Sequence, residues 1–138
     1  MKKIFATLFL CLLFAISMAN PKREMRATWL TTVANIDWPL SYTTDIEAQK
    51  KELTNILDDC VQWNLNTVLF HIRPACDALY KSSYEPWSSY LNHGRGVDPG
   101  YDPLQFCIDE CHKRGLACHG WINQYRYNKR GGYAWTGN

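Results

Sequence analysis

At 138 residues with 15 basic and 13 acidic side chains, the chain is long enough for one hydrophobic core. It is too evenly charged to take nucleic acid as its main partner, which needs a surplus of Lys and Arg on one face. The balance is nevertheless uneven: no acid follows Glu110, while Lys113, Arg114, Arg126, Lys129 and Arg130 do, so this end either binds an anion or is balanced by acids elsewhere in the protein.

Residues 1–19 have the three parts of an export signal: Lys2 and Lys3, the apolar run Ile4 to Ile16, and the small-residue site Ser17-Met18-Ala19. That run of thirteen residues is shorter than the roughly 20 needed to span a bilayer. Cys11 does not follow a small residue at a cleavage point, so no lipid tether is expected. The reading is a signal peptide over 1–19, a mature protein starting at Asn20 without a stable membrane anchor, and a periplasmic or extracellular location. The mature part carries 13 basic and 13 acidic residues.

Met25 to Val33 is apolar and β-branched and reads as a first strand. Thr44-Asp45-Ile46-Glu47 has the spacing of a capping box. Leu53, Ile56, Leu57, Cys60 and Val61 then follow at helical spacing opposite Lys50, Lys51, Asp58 and Asp59, which predicts a helix over 45–63. Thr67 to Ile72 is apolar on nearly every residue, as in a strand buried on both faces of a parallel sheet. Asp102-Pro103 opens a second helix that stops at Gly115, and Leu116 to Ile122 forms a third strand. Strand, helix, strand, helix, strand without hairpin signals means an α/β protein with a parallel sheet.

The stretch from Arg73 to Tyr101 holds 29 residues, where such connections usually run about two to six. It leaves the carboxyl end of the second strand, the end at which α/β sheets and barrels place their ligands. Thr32, Asn35 and Asp37 from the first strand, His71, Arg73 and Asp77 from the second, and Asn123, Tyr125 and Arg126 from the third should meet on one rim. Trp38, Tyr42, Tyr80, Tyr84, Trp87, Tyr90, Tyr127 and Trp135 crowd the surrounding loops. Flat rings with polar tips suit a sugar, which has a C–H face to stack and hydroxyls to hydrogen-bond, so the group reads as a carbohydrate cleft.

Five cysteines remain in the mature chain, Cys60, Cys76, Cys107, Cys111 and Cys118, and an odd number cannot all pair internally. Cys107 and Cys111 share a helix face beside His112, but a zinc site normally adds a second ligand pair at short spacing, so buried free thiols are expected and no metal. Gly94, Gly96 and Gly100 join no strand to a helix and read as turns; His119, inside a strand, reads as a hydrogen-bonded core residue. No serine sits in a nucleophile elbow.

Arg26-Ala27-Thr28-Trp29-Leu30 through Asn35-Ile36-Asp37-Trp38-Pro39, His71-Ile72-Arg73-Pro74 with Asp77-Ala78-Leu79-Tyr80, Tyr84-Glu85-Pro86-Trp87-Ser88, Asp98 through Leu104, and His112-Lys113-Arg114-Gly115-Leu116 together resemble the glycosyl-hydrolase-like family ten domain of exported bacterial proteins. The resemblance covers residues 21–128. It implies a (β/α)8 barrel acting on an envelope glycan, in some relatives peptidoglycan strands stripped of their peptides, with carbohydrate as partner and no cofactor. The family usually has Asn-Pro-Tyr-Arg after the third strand, where this chain has Gln124 in the second position, and Gly120 within His119-Gly120-Trp121 is also atypical.

Such a barrel needs about 250 residues, so residues 20–138 read as its truncated N-terminal part, about three strands and two helices. Glycoside hydrolysis normally uses two carboxylates, and the resemblance implies that the main acids lie on later strands, beyond Asn138. Of the local acids, Asp77 and Glu85 are the candidates, Glu85 equally as a loop-fixing residue. Trp38, Arg73, Asp77, Trp87, Asn123, Tyr125 and Arg126 are the expected substrate-binding residues.

Overall fold

The computed structural model describes residues 24–40 and 43–126. Its elements run in the expected order: strand β1 (Ala27–Leu30), helix α1 (Ile46–Gln62), strand β2 (Thr67–Arg73), helix α2 (Pro103–Lys113) and strand β3 (Ala117–Ile122), with short 3-10 turns at Val33–Asn35 and Ser89–Leu91. The three strands form one parallel sheet in the order β1-β2-β3. Among the described residues, no helix is long and apolar enough to cross a membrane.

β1 is shorter than the apolar run around it. At Thr31 the chain folds back: Thr31 N–H donates to Asp37 Oδ2 at 2.7 Å, and the Thr31 carbonyl accepts from the Asp37 and Trp38 amides. Ala34 and Asn35 take the left-handed conformation inside that reversal, which ends the strand. α1 starts from Asp45, not Thr44; Asp45 Oδ1 accepts from the Glu47 amide at 2.9 Å and the Ala48 amide at 3.3 Å. Both residue types can cap, but Asp45 holds the extended backbone that a cap requires, and Glu47 pairs with Lys50 instead of reaching back. α2 begins as read, with Asp102 accepting from the Gln105 amide and Pro103 in the first turn.

The core lies between the sheet and the two helices. Leu30 of β1 and Val68, Phe70 and Ile72 of β2 pack with Leu53, Leu57 and Cys60 of α1, with Cys107 and Cys111 of α2, and with Leu116. Val61 stands off that face and is exposed. Strand alternation sends Trp29, His71 and Trp121 to the opposite face, where the Trp121 ring stacks on His71 at 3.8 Å and meets the edge of Trp29 at 4.7 Å.

The long connection is ordered by its own contacts. Ala78 and Trp87 form a parallel bridge, Leu79 N–H donates to the Ile72 carbonyl, and Leu79 and Leu91 are fully buried. β3 is the more exposed outer strand, and His119 on it is exposed, contrary to the core role expected for it. The buried histidine is His71, because β2 is the central strand.

Candidate functional site

The carboxyl ends of β2 and β3 meet at a guanidinium. Arg73 Nε donates to Glu85 Oε1 and Nη2 forms an ion pair with the same oxygen, Nη1 donates to the carbonyls of Asn123 at 2.8 Å and Gln124 at 3.3 Å, and Nη2 donates to Cys76 Sγ at 3.3 Å. An arginine has five N–H donors, and this guanidinium makes four hydrogen bonds to protein. The hydrogen bond to the Glu85 carboxylate raises the Arg73 pKa further above its already high value. Arg73 therefore ties the long connection and the exit of β3 to the end of β2. A bulge in the β2–β3 pairing between His71 and Arg73 falls at this point, the usual place for such irregularities beside a site.

Asp77 is 1% exposed and accepts from the Ala75 amide and from Ser88 Oγ, both at 2.9 Å. It was expected at the sugar; the structure places it as a buried brace between the start of the loop and Ser88 in its middle. Trp38 is likewise enclosed, with no exposed surface, its ring edge to face with Phe70 and its indole N–H donating to the Gln49 carbonyl at 3.0 Å. A stacking platform needs an open face, and this ring has none. A position just past a strand end does not reveal which way the side chain turns, and both residues turn inward.

Asn123 uses its side-chain N–H on the Pro74 carbonyl at 3.2 Å and its backbone N–H on the Arg73 carbonyl at 3.1 Å. Glu85 is fixed by Ser82 Oγ, which accepts from the Glu85 amide at 3.1 Å, and by Arg73; its Oε2 is buried without a hydrogen-bond partner among the described residues. Trp87 and Arg126 are half-buried and Tyr125 is 93% exposed, so these three keep surface for a ligand. Thr32 Oγ1 donates to the His71 carbonyl, and Asn35 donates to the carbonyls of Pro39 and Tyr90, so both act within the scaffold. Tyr84 is exposed, Tyr80 and Tyr90 are half-buried, and Tyr42, Tyr127 and Trp135 lie outside the described residues.

His71 was grouped with the rim but not chosen as a site residue. It is fully buried, neither ring nitrogen has a hydrogen-bond partner among the described residues, and burial, with the charge of Arg126 added, lowers its pKa to about 4. It is thus a neutral imidazole on the inner face of the sheet. The sequence signal was the period-two run Leu69, His71, of which the first lies opposite His119 and the second opposite Trp121.

On the helix side of the sheet, Cys118 joins Cys107 and Cys111, with their three sulfurs within 4.8 Å of one another. Hydrogen bonding to Cys111 and Cys118, together with burial, pushes the Cys107 thiol up, while hydrogen bonds from Cys107 and Cys111 pull Cys118 down.

Residues 24–131 match the family described as glycosyl hydrolase-like 10. The chain is 49% identical over 111 residues to the glycosyl hydrolase YngK of Bacillus subtilis, an alignment covering 79% of this chain and 22% of that protein. It is 40% identical over 111 residues to the glycosyl hydrolase DigH of Escherichia coli K12, covering 75% of this chain and 25% of that protein. The chain therefore spans about a quarter of the length of the curated relatives it matches. From the parallel strand–helix succession, the rim built around Arg73 and these matches, the chain belongs to the glycosyl hydrolase-like 10 family.

Proposed function

We propose that the chain is the first part of a (β/α)8 barrel in a longer exported protein that hydrolyses a cell-envelope glycan, with peptide-free peptidoglycan strands as the first substrate to test. Residues 20–138 alone do not turn substrate over in this reading. The observation that carries it is the rim itself: Trp87, Tyr125 and Arg126 keep open surface at the carboxyl end of the sheet, while the local acids Asp77 and Glu85 are both engaged in the scaffold. Ring faces and a guanidinium suit sugar binding, and the bond-breaking pair of carboxylates then comes from later strands. Arg73 and Asn123 hold the rim, and Asp77 and Trp38 support it from beneath.

A continuing barrel is supported at the other side of the sheet. The edge of β1, unpaired among the described residues, borders a groove with Trp29, Ile36, Leu40, Ile56 and Trp63 in its walls, of which all but Ile56 are well exposed. Further strands and helices would cover it.

The engagement of Asp77 and Glu85 also favours a second reading, a glycan-binding protein on the same scaffold without hydrolytic activity. Incubating the intact protein, and separately residues 20–138, with peptide-free glycan strands separates the two. Mass spectrometry should find shortened strands with the intact protein only. Tight binding without cleavage would favour the binder, and cleavage by the 20–138 chain would place the acids within it.

A further inference from the structure

Three thiols from two elements converge on the helix side of the sheet. Cys107 and Cys111 lie one turn apart on the buried face of α2, and Cys118 rises from β3, where it pairs with Val68 near the amino end of the sheet. The Cys107 sulfur is 4.0 Å from both the Cys111 and the Cys118 sulfur. Cys107 and Cys111 are fully buried, Cys118 is half-buried, and all three are free thiols.

These spacings suit one ion better than one disulfide. Three sulfurs in a plane about a metal at ~2.3 Å are ~4.0 Å from each other. A disulfide needs ~2.05 Å between two of them and strands the third, and Cys107 is equally far from either neighbour. The donor set is sulfur only, which selects a soft cation. Zinc usually completes four ligands, and among the described residues no fourth histidine, cysteine or carboxylate joins this group.

We infer that Cys107, Cys111 and Cys118 form a trigonal thiolate site for copper(I) that staples α2 to β3. Binding replaces three S–H bonds by three S–Cu bonds and releases the protons to solvent; with the ion supplied as copper(I), nothing is oxidised or reduced. The site lies toward the amino ends of the strands, the side of such folds that serves stability, so it acts on the scaffold and not on the glycan.

The test uses the intact protein, reduced and kept free of oxygen, titrated with copper(I) against a chromophoric copper(I) chelator. One copper per chain should be retained, X-ray absorption should count three sulfur neighbours, and the melting temperature should rise on loading. Cys107→Ser and Cys118→Ser should each weaken binding by more than the roughly 10–100-fold typical of lost outer-shell partners, whereas Cys76→Ser should leave it unchanged. The inference is overturned if the chelator removes all copper, if two or fewer sulfurs are counted, or if the protein as isolated hides two of these thiols in a disulfide that reduction releases. The sulfur count is read on the wild type, so it decides the matter even if a serine variant does not fold.

Discussion

His71 shows at the scale of one residue how position in the sheet sets chemistry. Burial removes the water that would stabilise an imidazolium, so its pKa falls to about 4 from the ordinary 6.5. The unfolded chain therefore binds the proton first as pH drops. A group whose folded pKa is depressed contributes fully above its unfolded value, so stability is complete above about pH 6.5 and is lost as pH falls toward 4, by up to about 3 kcal/mol at 1.36 kcal/mol per unit. Carbon-13 histidine spectra of the intact protein should show one imidazole that stays neutral to below pH 5. If every histidine titrates near 6.5, the buried, unpartnered ring described for His71 is incorrect.

At the scale of elements, Gly120 has a reason that composition does not disclose. A Cβ on it would come within 2.7 Å of Ile72 Cδ1, on the strand that carries the rim. Gly120→Ala should therefore push Ile72 out of its rotamer and destabilise the intact protein by about 1–3 kcal/mol, measured as a shifted urea midpoint with unchanged slope; an unchanged midpoint would mean that Ile72 yields freely. The helices and the central strand were legible because periodicity and caps are local: Leu53, Leu57 and Cys60 share one stripe, and Asp102-Pro103 announces α2. The inward turns of Trp38 and Asp77 were not, since both depend on partners far along the chain or across a turn, Gln49 and Phe70 for one and Ser88 for the other. Nor was the third thiol, because Cys118 reaches Cys107 only once β3 lies under α2. His119 was expected in the core and is exposed for the same reason: burial belongs to the neighbour in the sheet, not to the strand's own pattern.

At the scale of the whole molecule, the sheet is open on both sides among the described residues, and the apolar groove beside β1 is the part with most to gain from further strands. If residues 1–19 direct export, any glycan is met outside the cytoplasm. Protein recovered from outside the cytoplasm should begin at Asn20 on N-terminal sequencing, and recovery of intact Met1 in the membrane fraction would indicate an anchor instead.

In the proposed function, the rim of β2 and β3 binds the glycan while the bond is broken by acids supplied elsewhere. Arg126→Ala removes a charged donor from that rim and should weaken glycan affinity by about 1.5–3 kcal/mol, roughly ten- to a hundredfold. Glu85→Gln keeps an oxygen for Arg73 and should retain turnover with an unchanged acid limb in its pH profile, because Glu85 fixes the loop and donates no proton to substrate. The decisive measurement is glycan affinity and turnover, taken side by side for these two variants in the intact protein. Arg126→Ala should lose affinity and Glu85→Gln should keep turnover; undiminished affinity in the first, or wild-type affinity with abolished turnover in the second, would mean that the rim does not bind the glycan or that Glu85 is itself the acid.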